Sequence, residues 1–303
     1  MNSNQHLAVI DIGTNTVHII IALVPSTNAR GMQKVFQKRV YTYLGENGLG
    51  HIDPETYARL EDALVEFEKA INLHPVDKIK VIATEAIRKA DNASAILNNI
   101  EARFGWNVEV INAQMEAKFL YEAVKNSFPI SIGRHVLVDI GGGSVEFVIT
   151  HEGQVGSVHS LPIGIAHLFN RFHHNDPITD EDIKNVGQHI KDQIEAVQKE
   201  LSTHDHILIG MAGTFEIFYQ NLSKEELNPN YRIIDLEGVE EFCHKVIQMD
   251  LKGRENHPFV PKVRAKYVVV ALILIQEILR VLKPSSFVVS KYSIKEGVVF
   301  SMV

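Results

Sequence analysis

The sequence predicts an α/β protein made of two related domains. Three observations carry that expectation. First, a strand–turn–strand segment occurs twice: residues 8–24 read AVIDIGTNTVHIIIALV and residues 136–151 read VLVDIGGGSVEFVITH. Asp11 aligns with Asp139, Gly13 with Gly141, Thr16 with Ser144 and Val17 with Val145, all at one offset. Second, after each copy the apolar runs alternate with helical patterns, the order of a mixed sheet carrying helices. Third, between the copies NSFPISIG, residues 126–133, interrupts the pattern with Ser, Pro and Gly. The expected domains are residues 1–126 and 127–303, each with one hairpin, with a cleft between them and the last helix returning to the first domain.

The elements follow in chain order. Apolar runs on either side of the first Gly/Thr/Asn turn predict strands at 7–12 and 17–24, and a third strand follows at 34–43. Asp53-Pro54 puts Pro at the first position of a helix over 54–72. Residues 78–83 read as a strand, 92–104 as a helix and 107–111 as a strand. Asn112 then caps a helix over 114–126. The second hairpin occupies 134–140 and 145–150, with a further strand at 154–161. Thr179-Asp180-Glu181-Asp182 supplies a polar cap and an acidic first turn for one long helix over 179–201. A strand at 206–210 leads through GMAGT into a helix at 213–222. Helices at 236–249, 263–282 and 293–303 and a strand at 286–290 complete the chain.

Composition limits the function. The chain has 303 residues, 45% hydrophobic and 22% charged, the profile of a soluble globular protein. The formal net charge of −7 argues against sequence-independent nucleic-acid binding, which needs a basic footprint. It leaves room for a phosphorylated substrate held by a few local cations. Cys243 is the single cysteine, so an internal disulfide is excluded; it sits in a helical pattern and reads as a buried, inert thiol. The N-terminal MNSNQH is polar and does not resemble a secretory signal. The most apolar run, Tyr267 to Ile275, is far shorter than the roughly 20 residues that span a bilayer, and reads as a buried helix. A cytoplasmic protein with no membrane partner is expected, and its apolar C-terminal segments are compatible with a homodimer.

Five segments carry candidate chemistry. The turns DIGTNT (Asp11, Gly13, Thr14, Asn15) and DIGGGS (Asp139, Gly141, Gly142, Gly143, Ser144) expose backbone N–H groups with little side chain in the way, which suits an anion. Asp139 and Glu146 lie on opposite arms of the second hairpin and can point into one space. Two hard oxygen ligands there suit Mg²⁺, which takes one or two carboxylates together with waters and substrate phosphates. His18 stands at the Glu146 position of the first copy, so the copies have diverged. In INAQMEAKFLYEAV, Glu116 opens the helix capped by Asn112; a helix dipole alone also favours an acid there, and the residues themselves do not choose. In ATEAIRKA, Arg88 follows a strand and suits phosphate recognition, or simply faces solvent. In GMAGT, Gly213 and Thr214 precede a helix whose N-terminal N–H groups would favour an anion. The histidines lack ligand spacing for a metal.

Taken together, these segments resemble the exopolyphosphatase/guanosine pentaphosphate phosphohydrolase (Ppx/GppA) family. SLPIG (160–164) and YSIKEGVVF (292–300) extend the resemblance to nearly the whole chain. It implies the actin-like, sugar-kinase-like ATPase fold, related to ribonuclease H, in two domains around a cleft. It implies Mg²⁺ and hydrolysis of inorganic polyphosphate or guanosine pentaphosphate. It also implies site roles. Glu116 matches the catalytic glutamate. Asp139 and Glu146 match acids associated with the metal and the attacking water. Thr14, Asn15, Arg88 and Gly141 to Ser144 match phosphate contacts. The sequence departs from the family where Asn112-Ala113 replaces Ser-Gly, where Met115 replaces an acid, near His167 where an Arg is usual, and at Lys266 where an acid is common. Two alternatives are compatible with the same residues: a kinase or ATPase of the same superfamily, or a binder of guanosine tetra- or pentaphosphate that releases no phosphate.

Overall fold

The structure, a computed structural model, describes residues 4–25, 31–201, 204–222 and 228–303. Its first half contains β1 (Gln5–Ile12), β2 (Thr16–Val24), β3 (Gln33–Tyr41), α1 (Pro54–Asn72), β4 (Lys78–Ala83), α2 (Glu85–Lys89), α3 (Ala93–Phe104), β5 (Val108–Val110) and α4 (Ala113–Lys125). There follow β6 (Arg134–Ile140), β7 (Val145–His151), β8 (Gln154–Leu161), α5 (Ile165–Phe172), α6 (Asp180–Gln193), α7 (Glu195–Leu201), β9 (Ile207–Met211) and α8 (Ala212–Asn221). The last part holds β10 (Tyr231–Ile234), α9 (Leu236–Ile247), α10 (Leu251–Glu255), a 3₁₀ turn (Lys262–Arg264), α11 (Val268–Leu282), β11 (Ser286–Ser290) and α12 (Ile294–Ser301).

The chain divides into two compact units. The first comprises residues 1–126 with 141–143 and 292–303. Its sheet runs β3-β2-β1-β4-β5, with β1, β2 and β3 antiparallel and β4 and β5 parallel to β1. α1 buries Leu60, Ala63, Leu64 and Phe67, an i, i+3, i+4, i+7 stripe, against Ile10, Ile19 and Val81 of the sheet core. Each of the leucine and phenylalanine side chains contributes roughly 1.5–3 kcal/mol relative to exposure. Its start is fixed as expected: Asp53 Oδ1 accepts the Thr56 N–H at 2.9 Å and Pro54 stands at the first turn. α12 packs on α4, β1 and β2. Within it Glu296 is fully buried, closes a capping box with Ser293 and takes Lys34 Nζ at 2.6 Å.

The second unit comprises residues 127–140 and 144–291. Its sheet, taken in the same direction, runs β8-β7-β6-β9-β11-β10. β6, β7 and β8 are antiparallel, and β9 and β11 are parallel to β6. The duplication seen in two hairpins therefore extends over five strands, with β10 as an added edge. This is the mixed α/β architecture expected from the sequence, present twice. α11 is buried on nearly every side, and Val269, Val270, Leu272, Ile273 and Leu274 fill the core against Ile190 and Val246. Cys243 is buried there too, and desolvation pushes its thiol far above the usual range.

Several boundaries differ from expectation. The helix expected over 179–201 is two helices meeting at Ile194. Val186, Ile190, Ile194, Val197 and Leu201 are all buried, so the apolar stripe continues through the junction and conceals it in the sequence. The helix expected from 263 begins with a 3₁₀ turn and becomes α-helical only at Val268. β10 was not expected, because four residues give too short an alternation to stand out. α2, α5 and α10, each eight residues or fewer, were also missed.

Candidate active site

The first turn is held by backbone. The Gly13 N–H donates to Thr16 O at 3.0 Å and closes it. Thr42 and Tyr43 donate to Asn15 O, and Gly45 donates to Thr14 O at 3.1 Å, so residues 42–45 brace the turn from outside the motif. Thr14 is buried. The Asn15 carboxamide lies against Gly142, where a Cβ would come within 2.8 Å of it. Glu85 lies against Gly143 even more closely: a Cβ there would sit 1.9 Å from Glu85 Oε2. The glycines at 142 and 143 are thus required for contact with these side chains, in addition to any role toward an anion.

In the second hairpin Asp139 and Glu146 are direct cross-strand partners, which places both carboxylates on one face of the sheet. Glu146 is buried, and its Oε1 accepts the Ser144 hydroxyl at 2.5 Å and the Ser160 hydroxyl at 3.0 Å. The first hairpin repeats the arrangement with changed chemistry. Asp11 opposes His18, whose Nε2 lies 3.0 Å from Thr16 Oγ1 and accepts the Arg39 Nε–H at 3.1 Å. Only the second copy therefore offers paired carboxylates. Among the described residues no group of three or more His, Cys, Asp or Glu is placed to hold a metal ion. Two carboxylates on one face suit Mg²⁺ completed by water and phosphate oxygens, rather than an all-protein cage.

Glu116 is fixed by its helix. The Asn112 side chain accepts the Met115 N–H at 2.9 Å and caps α4, so the Asn that departs from the family pattern still performs the capping. One turn in, Glu116 is only 6% exposed, and its Oε1 accepts from Arg88 Nη1 at 2.7 Å. The same Nη1 donates to Ile111 O at 2.5 Å. Burial pushes the Glu116 carboxyl above the usual range; Arg88 opposes the shift and the charge of Glu85 adds to it. The candidate base and a candidate phosphate ligand are thus bound to each other.

In the second unit Arg264 Nη1 donates to Gly213 O, and the Thr214 hydroxyl donates to Ile140 O, at 3.4 Å, beside the second turn. Strand register matches this loop to its counterpart in the first copy. Asp11 pairs with Ile82 on β4, and Asp139 pairs with Met211 on β9. Counting on three residues, Glu85 stands at the position that Thr214 takes in the other copy. Glu85 and Ser160 were not among the expected site residues. Glu85 resembled an ordinary helix-start acid, and the position of Ser160 follows from β7–β8 pairing, which carries no local signal.

The model of the Ppx/GppA phosphatase family matches residues 23–303. The chain belongs to the Ppx/GppA family. It is 28% identical to an exopolyphosphatase from Cytophaga hutchinsonii, with 98% of this chain and 97% of that chain covered and a TM-score of 0.89. It is 26% identical to the Aquifex aeolicus Ppx/GppA family member, with 99% and 97% covered and a TM-score of 0.81. Family membership makes the protein a phosphohydrolase. The first turn precedes the residues matched by the family model, although the structural likeness includes it. Of the departures from the family pattern, Lys266 lies over the Phe169 and Tyr267 rings, 5.4 and 5.1 Å from their centroids, which gives its charge a local partner. Among the described residues no helix is long and apolar enough to cross a membrane.

Proposed function

We propose that this phosphohydrolase is an exopolyphosphatase in the broad sense: it hydrolyses the terminal phosphoanhydride of inorganic polyphosphate, guanosine pentaphosphate or both. The observation that carries this reading is Glu116, a buried carboxyl with a raised pKa, fixed at 2.7 Å by an arginine. The likeness to the Cytophaga hutchinsonii exopolyphosphatase supports the choice of substrate class.

Glu116 orients a water and takes its proton as the water oxygen bonds to the terminal phosphorus. The anhydride P–O bond breaks, and the shortened chain leaves with the bridging oxygen. Glu116 then holds the proton until solvent removes it. Arg88 has five N–H donors, so it can keep Glu116 in place with one edge and offer another to a phosphate oxygen. Backbone N–H groups of the two turns, with Thr14, Asn15 and Ser144, hold the chain. Asp139 and Glu146 would hold Mg²⁺, which when bound offsets charge on the phosphates. A loose phosphoryl-transfer transition state leaves positioning and electrostatics as the main contributions.

The test is phosphate release from short polyphosphate, long polyphosphate and guanosine pentaphosphate, with Mg²⁺ and with chelator. Mg²⁺-dependent release is expected, and Glu116→Gln should lower kcat by ~10²–10⁴. A Glu116→Gln enzyme with wild-type kcat would remove Glu116 from the base role. Release from none of the substrates would overturn the proposal.

A further inference from the structure

We propose that Glu85 makes binding of a phosphate chain at the Gly142–Gly143 turn conditional on a divalent cation arriving with it. The carboxylate excludes the bare polyanion and admits the cation complex. This inference rests on the proposed substrate class and deepens it.

The geometry is local to the first unit. Glu85 is 5% exposed, and its Oε2 is buried with no hydrogen-bond partner among the described residues. That oxygen abuts Gly143, where a Cβ would lie 1.9 Å from it. Buried carboxylate oxygens are normally hydrogen-bonded, so one left open against a phosphate-binding turn is an exception with a chemical consequence. A phosphate held by the backbone of Gly143 would lie beside this buried carboxylate. The other oxygen, Oε1, accepts from Lys89 Nζ at 2.5 Å, which opposes rotation of the carboxylate away from the turn. Lys89 is half-exposed and offsets the charge from the solvent side only.

The duplication sharpens the point. At the equivalent register the second unit has Thr214, a neutral hydroxyl. Both positions lie in the first turn of a helix, and of the two only the first copy's carries a carboxylate. Like charges in contact are a means of rejecting a ligand, and a bridging cation turns the rejection into attraction. Glu85 therefore acts on which form of substrate binds, and Glu116 on the chemistry that follows.

The test uses the full chain and methylenediphosphonate, whose P–C–P bridge water cannot split. Its Kd is measured by titration calorimetry in chelator and in Mg²⁺ for wild type, Glu85→Gln and Glu85→Asp. Glu85→Gln should tighten binding in chelator by about tenfold or more, since like charges at contact cost that much or more. Glu85→Asp, which keeps the charge, should retain the wild-type dependence on Mg²⁺. Unchanged chelator affinity in Glu85→Gln overturns the inference, as does a Glu85→Asp protein that behaves like Glu85→Gln. Should Glu85→Gln fail to fold, Lys89→Met decides: removing the counter-charge should weaken binding in chelator, and no change refutes the role of Glu85. Phosphate release by the wild type from tripolyphosphate tests the substrate class separately, so the two ideas fail independently.

Discussion

Gly297 on α12 is the position where a single methyl group should test how α4, the helix that carries Glu116, is held. A Cβ at Gly297 would lie 1.8 Å from Phe119 O and 2.6 Å from its carbonyl carbon, both in the α4 backbone. Ordinary carbon–oxygen contact needs about 3.3 Å, so the two helices must part by roughly 1.5 Å to admit Gly297→Ala. Backbone cannot rotate aside as a side chain can. In an isolated helix the same change would stabilise by about 0.8–1 kcal/mol. Overpacking of a tight core costs typically 1–3 kcal/mol and occasionally more, and contact with backbone belongs at the upper end, so the clash wins. Phe119 lies three residues beyond Glu116 on α4. A shift of the helix there carries the carboxyl with it, and misplacing a reacting group by about 1 Å can lower the rate ~10²-fold. Urea unfolding should show a lower midpoint at unchanged slope, and kcat for phosphate release should fall about tenfold to a hundredfold. Wild-type stability would refute the packing argument. Lost stability with wild-type kcat would show that α12 yields while α4 stays, and would refute the link to Glu116.

Other consequences can be measured in the same preparations. The Glu116 carboxyl is raised by burial, and a base must be ionised; activity should therefore fall as pH drops through a value above the usual glutamate range, and Arg88→Ala should move that limb to higher pH. The stability contribution of the raised Glu116 has the opposite sense: it is complete below the usual carboxylate pKa and is lost as pH rises through the raised value. Burial alone would raise Glu296, but Lys295 and Lys34 outweigh it and hold the carboxyl below its usual range. Its stabilisation should be present above the usual carboxylate pKa and disappear as pH falls through the lowered one; Glu296→Ala, which strands Lys34 and Lys295, should cost about 3–5 kcal/mol in urea unfolding near neutral pH. Ser160→Ala removes a hydroxyl donor from Glu146 and should weaken Mg²⁺ binding in calorimetry by about 10–100-fold, as loss of a ligand's supporting bond does; unchanged Mg²⁺ affinity would count against Glu146 as a ligand.

What the sequence revealed and what it hid follow from the range of the interactions. The two DIG turns were legible because their chemistry is local: an apolar strand, small residues and a returning strand lie within a few positions. The same holds for the Asp53, Asn112 and Thr179 caps, each of which bonds an N–H three residues on. Glu116 was visible only as a helix-start acid until the family resemblance weighed in, because its burial and its bond to Arg88 depend on a partner 28 residues away in the chain. Glu85 was less visible still. Nothing within ATEAIRKA distinguishes it from a solvated acid; its meaning comes from Gly143, far along the chain, and from a register that matches it to Thr214. Ser160 needed the β7–β8 pairing in the same way. The duplication is the one long-range fact that the sequence states outright, and its use is comparative. Where the copies agree, in the aspartates at the strand ends, the shared geometry of the turn is preserved. Where they differ, in Glu146 against His18 and in Thr214 against Glu85, the fold supplies the same position and the side chain decides the charge. Two of these four residues are acids, Glu146 and Glu85, and they come from different copies. Glu146 faces Asp139, a pairing suited to holding a cation. Glu85, held by Lys89 through its other oxygen, lies against Gly143, an arrangement suited to demanding one.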